Sequence, residues 1–580
     1  MKPSERDLLD LVPGLPVDRR SLLKVMGASL ALAGLGGCKG VEDETAYPYV
    51  NAPDGMTLGV AKWYATAVTF AGYAQPVLGK SINGRPVKLE GNPEHPMSKG
   101  KTDAFAQAAL LSLYDPNRSQ MPRFLDKPAD WNAFIAAMAR QAETFDKTGG
   151  DGFRLLTAPL SSPTLARQIT AMMQRWPKVR WHVLDTVPSN DMAAATTAQF
   201  GRPLVPHPAY DAAEVVVSFD DDFLGPGPFQ TRNAGLFAVR RKLRQNRQGK
   251  FALFVAEPMP SMTGSVADQR LSASVADIGR MLQALAIGLG TGAGALPDLP
   301  ERHRHWLDRV TAALKAAEGK ALVSVGLYHD KDLQSLALLI NDKLGSFGKT
   351  LRFSEPILAS PPDGANSFNV LADDIRQSRV HTLVCLGTNP VYAAPGRLDF
   401  DKVAVRIHAG LHVDETAVQS HWHVPLQHDL ESWNDARAVD SSASIIQPLV
   451  RPLYDVRAPH VLIDYLMGHQ DSDRGLVQAT WREAWGADFE RKWEASLLKG
   501  FVEGTSSPFV TPTIAGRAVP DLEVPEDGLT VLIRPDASVW DGTLSENAWA
   551  QETPRPLTKI TWGNVIHLAP SLAKQHGLER

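Results

Sequence analysis

His381-Thr382-Leu383-Val384-Cys385-Leu386-Gly387-Thr388-Asn389-Pro390 is an apolar run of strand length closed by a glycine turn. It does not alternate polar and apolar residues, so it reads as a strand buried on both faces. The same kind of run recurs at Phe153–Thr157, Val179–Leu184, Glu214–Phe219, Phe251–Val255, Ala321–Leu327 and Val403–His408. Helical periodicity fills the intervals, at Trp131–Glu143, Ser162–Arg175, Arg232–Arg244, Val275–Leu289, Glu301–Ala317 and Lys331–Lys343. Strands alternating with helices predict an α/β fold of parallel sheets flanked by helices, here in two lobes. The Gly- and Pro-containing stretch Gly290–Pro300 is the expected seam between them. A long helix is expected over Gly475–Lys499.

Upstream, Asn83-Gly84 separates two strand-like runs and predicts a tight hairpin in a small β-rich lobe. The expected organisation is therefore an export signal over 1–38 and a polar linker over 39–59. A β-rich lobe over 60–128 and α/β lobes over 129–295 and 296–555 follow. Residues 556–580 read as a strand, a turn and a helix opening a further domain.

Arg19 and Arg20 precede a short apolar run that ends Leu35-Gly36-Gly37-Cys38. Paired arginines ahead of such a run are the twin-arginine export pattern. The run is shorter than the roughly 20 residues needed to span a bilayer. Leu-Gly-Gly-Cys has the form of a lipobox, which makes Cys38 the expected lipid-bearing residue and places the protein on the periplasmic face of the inner membrane. Two or more acyl chains hold a protein on a membrane stably.

The 580 residues carry 60 Lys and Arg against 64 Asp and Glu, a balance that gives no case for nucleic acid binding. The two cysteines are Cys38 and Cys385. An iron–sulfur cluster needs about four thiolates, so this chain alone cannot ligate one. His421, His423 and His428 form the densest histidine group, read as structural because no cysteine or close carboxylate completes a metal set. Asp220-Asp221-Asp222 at a strand end would repel phosphates, and is expected to be a solvated loop. Gly387-Thr388-Asn389-Pro390 lies where doubly wound folds bind ligands, beyond the carboxyl end of a strand. No Gly-x-x-x-x-Gly-Lys-Ser/Thr loop or Gly-x-Ser-x-Gly elbow is present.

Several stretches resemble the molybdopterin oxidoreductase superfamily. They are Val87–Pro96 with its Glu-Gly-Asn-Pro core, Leu113-Tyr114-Asp115-Pro116-Asn117-Arg118, and the turn Gly387–Pro390. Phe105–Ala108, Ala256-Glu257-Pro258, Met262-Thr263-Gly264, Ala267-Asp268, His428–Arg437 and Gln447-Pro448-Leu449 are similar to one branch. That branch comprises the molybdopterin-like, twin-arginine-exported components of alternative complex III, a quinol-oxidising respiratory complex. The resemblance implies a multi-lobed molybdopterin oxidoreductase-like body. It also implies that Gly387, Thr388, Asn389 and Pro390 are a remnant of a pterin-dinucleotide contact, in a chain without a cofactor. Molybdopterin guanine dinucleotide is the cofactor of the catalytic relatives. Their metal-ligating segment matches Ser189–Gly201, which has no cysteine; Ser189 and Asp191 are the substitutes it offers. The implied role is a non-catalytic scaffold, with a catalytic oxidoreductase using an atypical ligand, or a free-standing binding lipoprotein, as alternatives. The implied partners are an iron–sulfur subunit or domain, a multihaem cytochrome c subunit and a quinol-binding integral membrane subunit. Iron–sulfur clusters would then sit on a partner or on a C-terminal half missing from this sequence.

Overall fold

Thr382–Leu386 and Phe153–Thr157 are buried at every position and pair in parallel, Thr382 opposite Phe153 and Leu386 opposite Thr157. Period-two side-chain alternation sends Val384 and Leu386 to one face and Leu383 and Cys385 to the other. The first pair packs against helices Trp131–Thr148, Pro163–Arg175 and Pro459–Leu466. The second pair meets Leu371 and Ile375 of helix Ser367–Arg376. With both faces covered, neither face needs polar residues, which is why the sequence is apolar throughout.

The computed structural model describes residues 57–187, 190–292, 294–515 and 529–578. Arg19, Arg20, Cys38 and Ser189 lie outside the described residues. The chain divides into units Met1–Leu58 and Gly59–Arg580, and the fold described belongs to the second.

Among the described residues the larger sheet has seven strands. Its order is Lys127–Pro128, Arg123–Phe124, Trp422–Pro425, Val405–Gly410, Thr382–Leu386, Phe153–Thr157 and Arg180–Val183. The last five named run parallel. A four-stranded parallel sheet has the order Gln269–Ser272, Ala252–Glu257, Val215–Phe219, Ala321–Val325. Val215, Val217 and Phe219 pack on helices Val275–Gly288, Glu301–Ala316 and Lys331–Lys343. Val216 points the other way, toward Phe237 and Ala195.

The expected lobes 129–295 and 296–555 do not follow these sheets. Ala321–Val325 pairs with Val215–Phe219 across that boundary, and Phe153–Thr157 pairs with Thr382–Leu386 across the whole smaller sheet. The second lobe is therefore an insertion within the first. The stretch around Gly290–Pro300 joins two helices of the inserted lobe rather than two lobes. Chain entry and exit lie side by side, because Val205–Pro208 pairs antiparallel with Leu351–Ser354.

The hairpin forms as read. Lys62–Phe70, Tyr73–Ile82 and Arg85–Gly91 make an antiparallel sheet, and Asn83 and Gly84 turn it with φ of 52° and 77°. The sheet shares apolar cores with Ala436, Val439 and Ile446 from the hairpin near residue 440. Gly91 is obligatory, since a Cβ there would lie 2.3 Å from the Gly100 carbonyl. The expected long helix is two, Asp473–Trp485 and Phe489–Lys499, because Gly486 adopts φ 53° between them. Residues 556–578 contain helix Pro570–Gln575 but no strand; Lys559 and Trp562 at φ near 60° hold the segment in turns.

Arg118 and Glu431 bind each other through two hydrogen bonds of 3.1 and 2.6 Å with both side chains sealed from water. Arg118 also donates to the Leu113 carbonyl, and Glu431 accepts from the N–H groups of His428 and Leu453. Such satisfaction makes burial of the pair tolerable, and loss of one partner leaves a charge stranded. Glu431→Gln is expected to cost about 3–5 kcal/mol, read as a lowered denaturant midpoint; a change below about 1 kcal/mol would contradict this account.

Candidate functional site

The carboxyl ends of both parallel sheets open into one cleft of about 3630 Å³. That is several times the roughly 300–1,000 Å³ of a small-ligand pocket. Gly387–Asn389 and Gly410–Glu415 line it from the larger sheet, and Asp220–Phe223 and Gly326–Tyr328 from the smaller. Much of Leu529–Leu572 forms a further wall.

Gly387 takes φ 64° with open space where a Cβ would stand, and its N–H donates to the Ala409 carbonyl. The Asn389 amide is consumed internally. Its Nδ2 donates to Glu415 at 2.7 Å, and its Oδ1 accepts from Thr416 Oγ1 at 2.7 Å and from the Tyr392 N–H. Pro390 begins the short helix Pro390–Ala393, with Asn389 as its cap. The turn thus sits on the cleft wall, with Asn389 clamped to helix Glu415–Val418.

Asp220-Asp221-Asp222 is not the solvated loop that its composition suggests. Asp220 is buried and accepts from Arg534 at 2.5 Å and His329 at 3.2 Å. Asp222 accepts from both the N–H and the hydroxyl of Thr263 at 2.8 Å. Burial pushes the Asp221 carboxyl up to about 7; the Ser324 hydrogen bond opposes this, and its two acidic neighbours reinforce it. The triad is a folded-in structural element because Arg534, 314 residues away, covers it.

Two of the three histidines make backbone contacts. His421 Nδ1 accepts from the Arg406 N–H, and His428 Nδ1 caps Leu430. His423 faces His408, Nδ1 to Nδ1 at 3.0 Å, and reaches Ser119 Oγ with Nε2 at 2.7 Å. His408 also approaches Asp414 Oδ2 at 3.4 Å. His408 and Asp414 are missed by sequence reading. They become neighbours of His423 only because strands Val405–Gly410 and Trp422–Pro425 pair with His408 opposite His423.

A molybdenum-bearing pterin dinucleotide needs a metal ligand and donors for its phosphates. Cys385 is 1% exposed, packed among Leu156, Leu371 and Leu383, and its thiol is pushed far up by burial. The cleft face of helix Asn190–Phe200 presents Met192, Ala193, Ala194, Thr197 and Ala198. Asp191, the described substitute ligand, is not on that face, and its carboxyl is raised by burial and then by Asp330. The cations on the wall already hold carboxylates: Arg270 with Glu257, Arg534 with Asp220, Arg555 with Asp536 and Lys331 near Asp332. No cluster of three or more metal-ligating side chains occurs among the described residues. This set does not fit the group.

Two sheets with flanking helices and a cleft at their strand ends define a multi-lobed α/β body. Acetylene hydratase from Pelobacter acetylenicus superposes on it with a TM-score of 0.52 at 12% identity, over 73% of this chain and 70% of that one. In sequence, the chain is similar to the "Menaquinone reductase, molybdopterin-binding-like subunit" of Nitratidesulfovibrio vulgaris strain Hildenborough. The identity is 23%, covering 88% of this chain and 81% of that protein. No family model matches the chain.

Two outcomes follow from the acidic wall. Between about pH 4 and 7 the folded chain keeps the Asp221 proton that the unfolded chain releases, so Asp221 lowers stability as pH rises through that window. Asp221→Asn should therefore melt above the wild type at pH 7 and higher, and converge with it near pH 4; parallel melting curves at all pH values would contradict the assignment. Arg534→Ala should speed proteolysis within 529–578 without altering cleavage elsewhere, as followed by mass spectrometry of timed digests. Unchanged cleavage would mean that the Asp220 contact does not hold the segment.

Proposed function

We propose that this protein is a non-catalytic, membrane-tethered subunit of a quinol-oxidising respiratory electron-transfer complex of the alternative complex III type. The observation that carries this reading is the chemistry of the cleft wall. A redox-enzyme fold keeps its ligand-binding groove, yet the described wall offers no thiolate and its cations are already matched by carboxylates. The name of the Nitratidesulfovibrio relative, a molybdopterin-binding-like subunit of a menaquinone reductase, supports the quinone-linked respiratory part of the reading.

In this role the body docks electron carriers and carries none. Its partners are an iron–sulfur subunit or domain, a multihaem cytochrome c and an integral membrane subunit that binds quinol. Cys38 supplies a lipid anchor after twin-arginine export through Arg19 and Arg20, which places the protein on the periplasmic face of the inner membrane. Gly387–Pro390 is retained as a structural turn.

Affinity purification from the native membrane tests the proposal. Haem and iron–sulfur polypeptides should co-purify, and the isolated chain should contain neither molybdenum nor pterin. Stoichiometric molybdenum or pterin in the isolated chain would establish an enzyme with an atypical ligand instead. Mass spectrometry of the mature N-terminus should find an acylated Cys38, and an unmodified Cys38 would remove the anchor from the reading.

A further inference from the structure

Four polar groups run in a line from the cleft into the larger sheet. Asp414, on the cleft wall, lies 3.4 Å from His408 Nε2. His408 Nδ1 meets His423 Nδ1 at 3.0 Å, and His423 Nε2 meets Ser119 Oγ at 2.7 Å. The two rings are 1% and 3% exposed. Ser119 is itself 6% exposed and is followed in the chain by the exposed Gln120 and Met121, which place it directly beneath the surface. We propose that Asp414, His408, His423 and Ser119 form a proton path that links the cleft wall to the protein surface beside Gln120.

Two of the three links are hydrogen bonds and the third, His408 to Asp414, is a 3.4 Å approach, so each link can be written with a donor and an acceptor in either proton direction. In one arrangement Ser119 Oγ–H donates to His423 Nε2, His423 Nδ1–H donates to His408 Nδ1, and His408 Nε2–H faces an ionised Asp414. Transfer moves one proton along each link. Asp414 gains the His408 Nε2 proton, His408 Nδ1 gains the His423 Nδ1 proton, His423 Nε2 gains the Ser119 proton, and water at the surface reprotonates Ser119. Each ring then carries its proton on the opposite nitrogen and stays neutral, and every link again has one donor and one acceptor. Only O–H and N–H bonds break and form, with no change of oxidation state.

The electrostatics favour transfer without a charged ring. Burial, and then the facing His423, lowers His408 to about 3; burial, then Arg123 and His412, lowers His423 to about 4. An imidazolium is therefore not stored midway. Asp414 is raised to about 6, chiefly by burial, so it can both hold and release a proton near neutrality. The other charged or titratable groups acting on Asp414 are Glu415 and His412, and Asp414 in turn acts on the buried Cys385 thiol. The backbone of Thr388 bonds His408, tying the path to the turn on the cleft wall. A molecule seated over Asp414 would leave this route for its proton open, whatever partners the protein has.

Full-length protein labelled with ¹⁵N-histidine tests the path by NMR. The wild type should show His408 and His423 nitrogens averaged between two tautomers. Their ring N–H groups should exchange with solvent faster than the Ile407 and Val424 amides beside them. Asp414→Asn keeps a helix-capping side chain but cannot take the proton; Ser119→Ala removes the other end. Each should freeze one tautomer and slow ring N–H exchange about tenfold or more, while the flanking amides are unchanged. A single fixed tautomer in the wild type across about pH 5–8, or ring exchange indifferent to both substitutions, would overturn the proposal.

Discussion

Everything in this molecule is arranged around a strand that cannot be left with an open edge or a bare face. Thr382–Leu386 is apolar on both sides, so it needs helices above and below and parallel partners left and right. One partner, Phe153–Thr157, comes from far upstream. Closing so long a loop costs little more than closing a moderate one, because the entropy grows only with the logarithm of length. The intervening chain folds a sheet of its own, and the cleft is the space between the carboxyl ends of the two sheets.

What can be read from sequence divides along the same line. The strands and helices are legible because their signals are local: Lys331–Lys343 has the bounds its periodicity predicts, and Asn83-Gly84 turns as its residue types demand. Sheet order is not legible, since a parallel strand's partner leaves no local mark, and so composition divides the lobes in the wrong place. The long helix breaks at Gly486, where a tolerated glycine and a helix-ending glycine look alike in sequence.

The site shows the same split. The residue types of Gly387–Asn389 place it on a strand end, and it lies on the cleft wall. Asp220-Asp221-Asp222 misleads because acidic runs are usually solvated, whereas this one is covered by an arginine 314 residues away. His408 carries no signal, because an isolated histidine in an apolar strand gains meaning only from the residue opposite. The cleft face of the helix at Met192–Ala198 is made of Met192, Ala193, Ala194, Thr197 and Ala198.

The ribbon formed by Val205–Pro208 and Leu351–Ser354 has a consequence for how such a molecule can change over evolutionary time. It brings both ends of the inserted lobe to a common doorway. A gene could acquire, lose or exchange that whole module through two neighbouring crossover points, and the host sheet would need only a short splice to close over the gap.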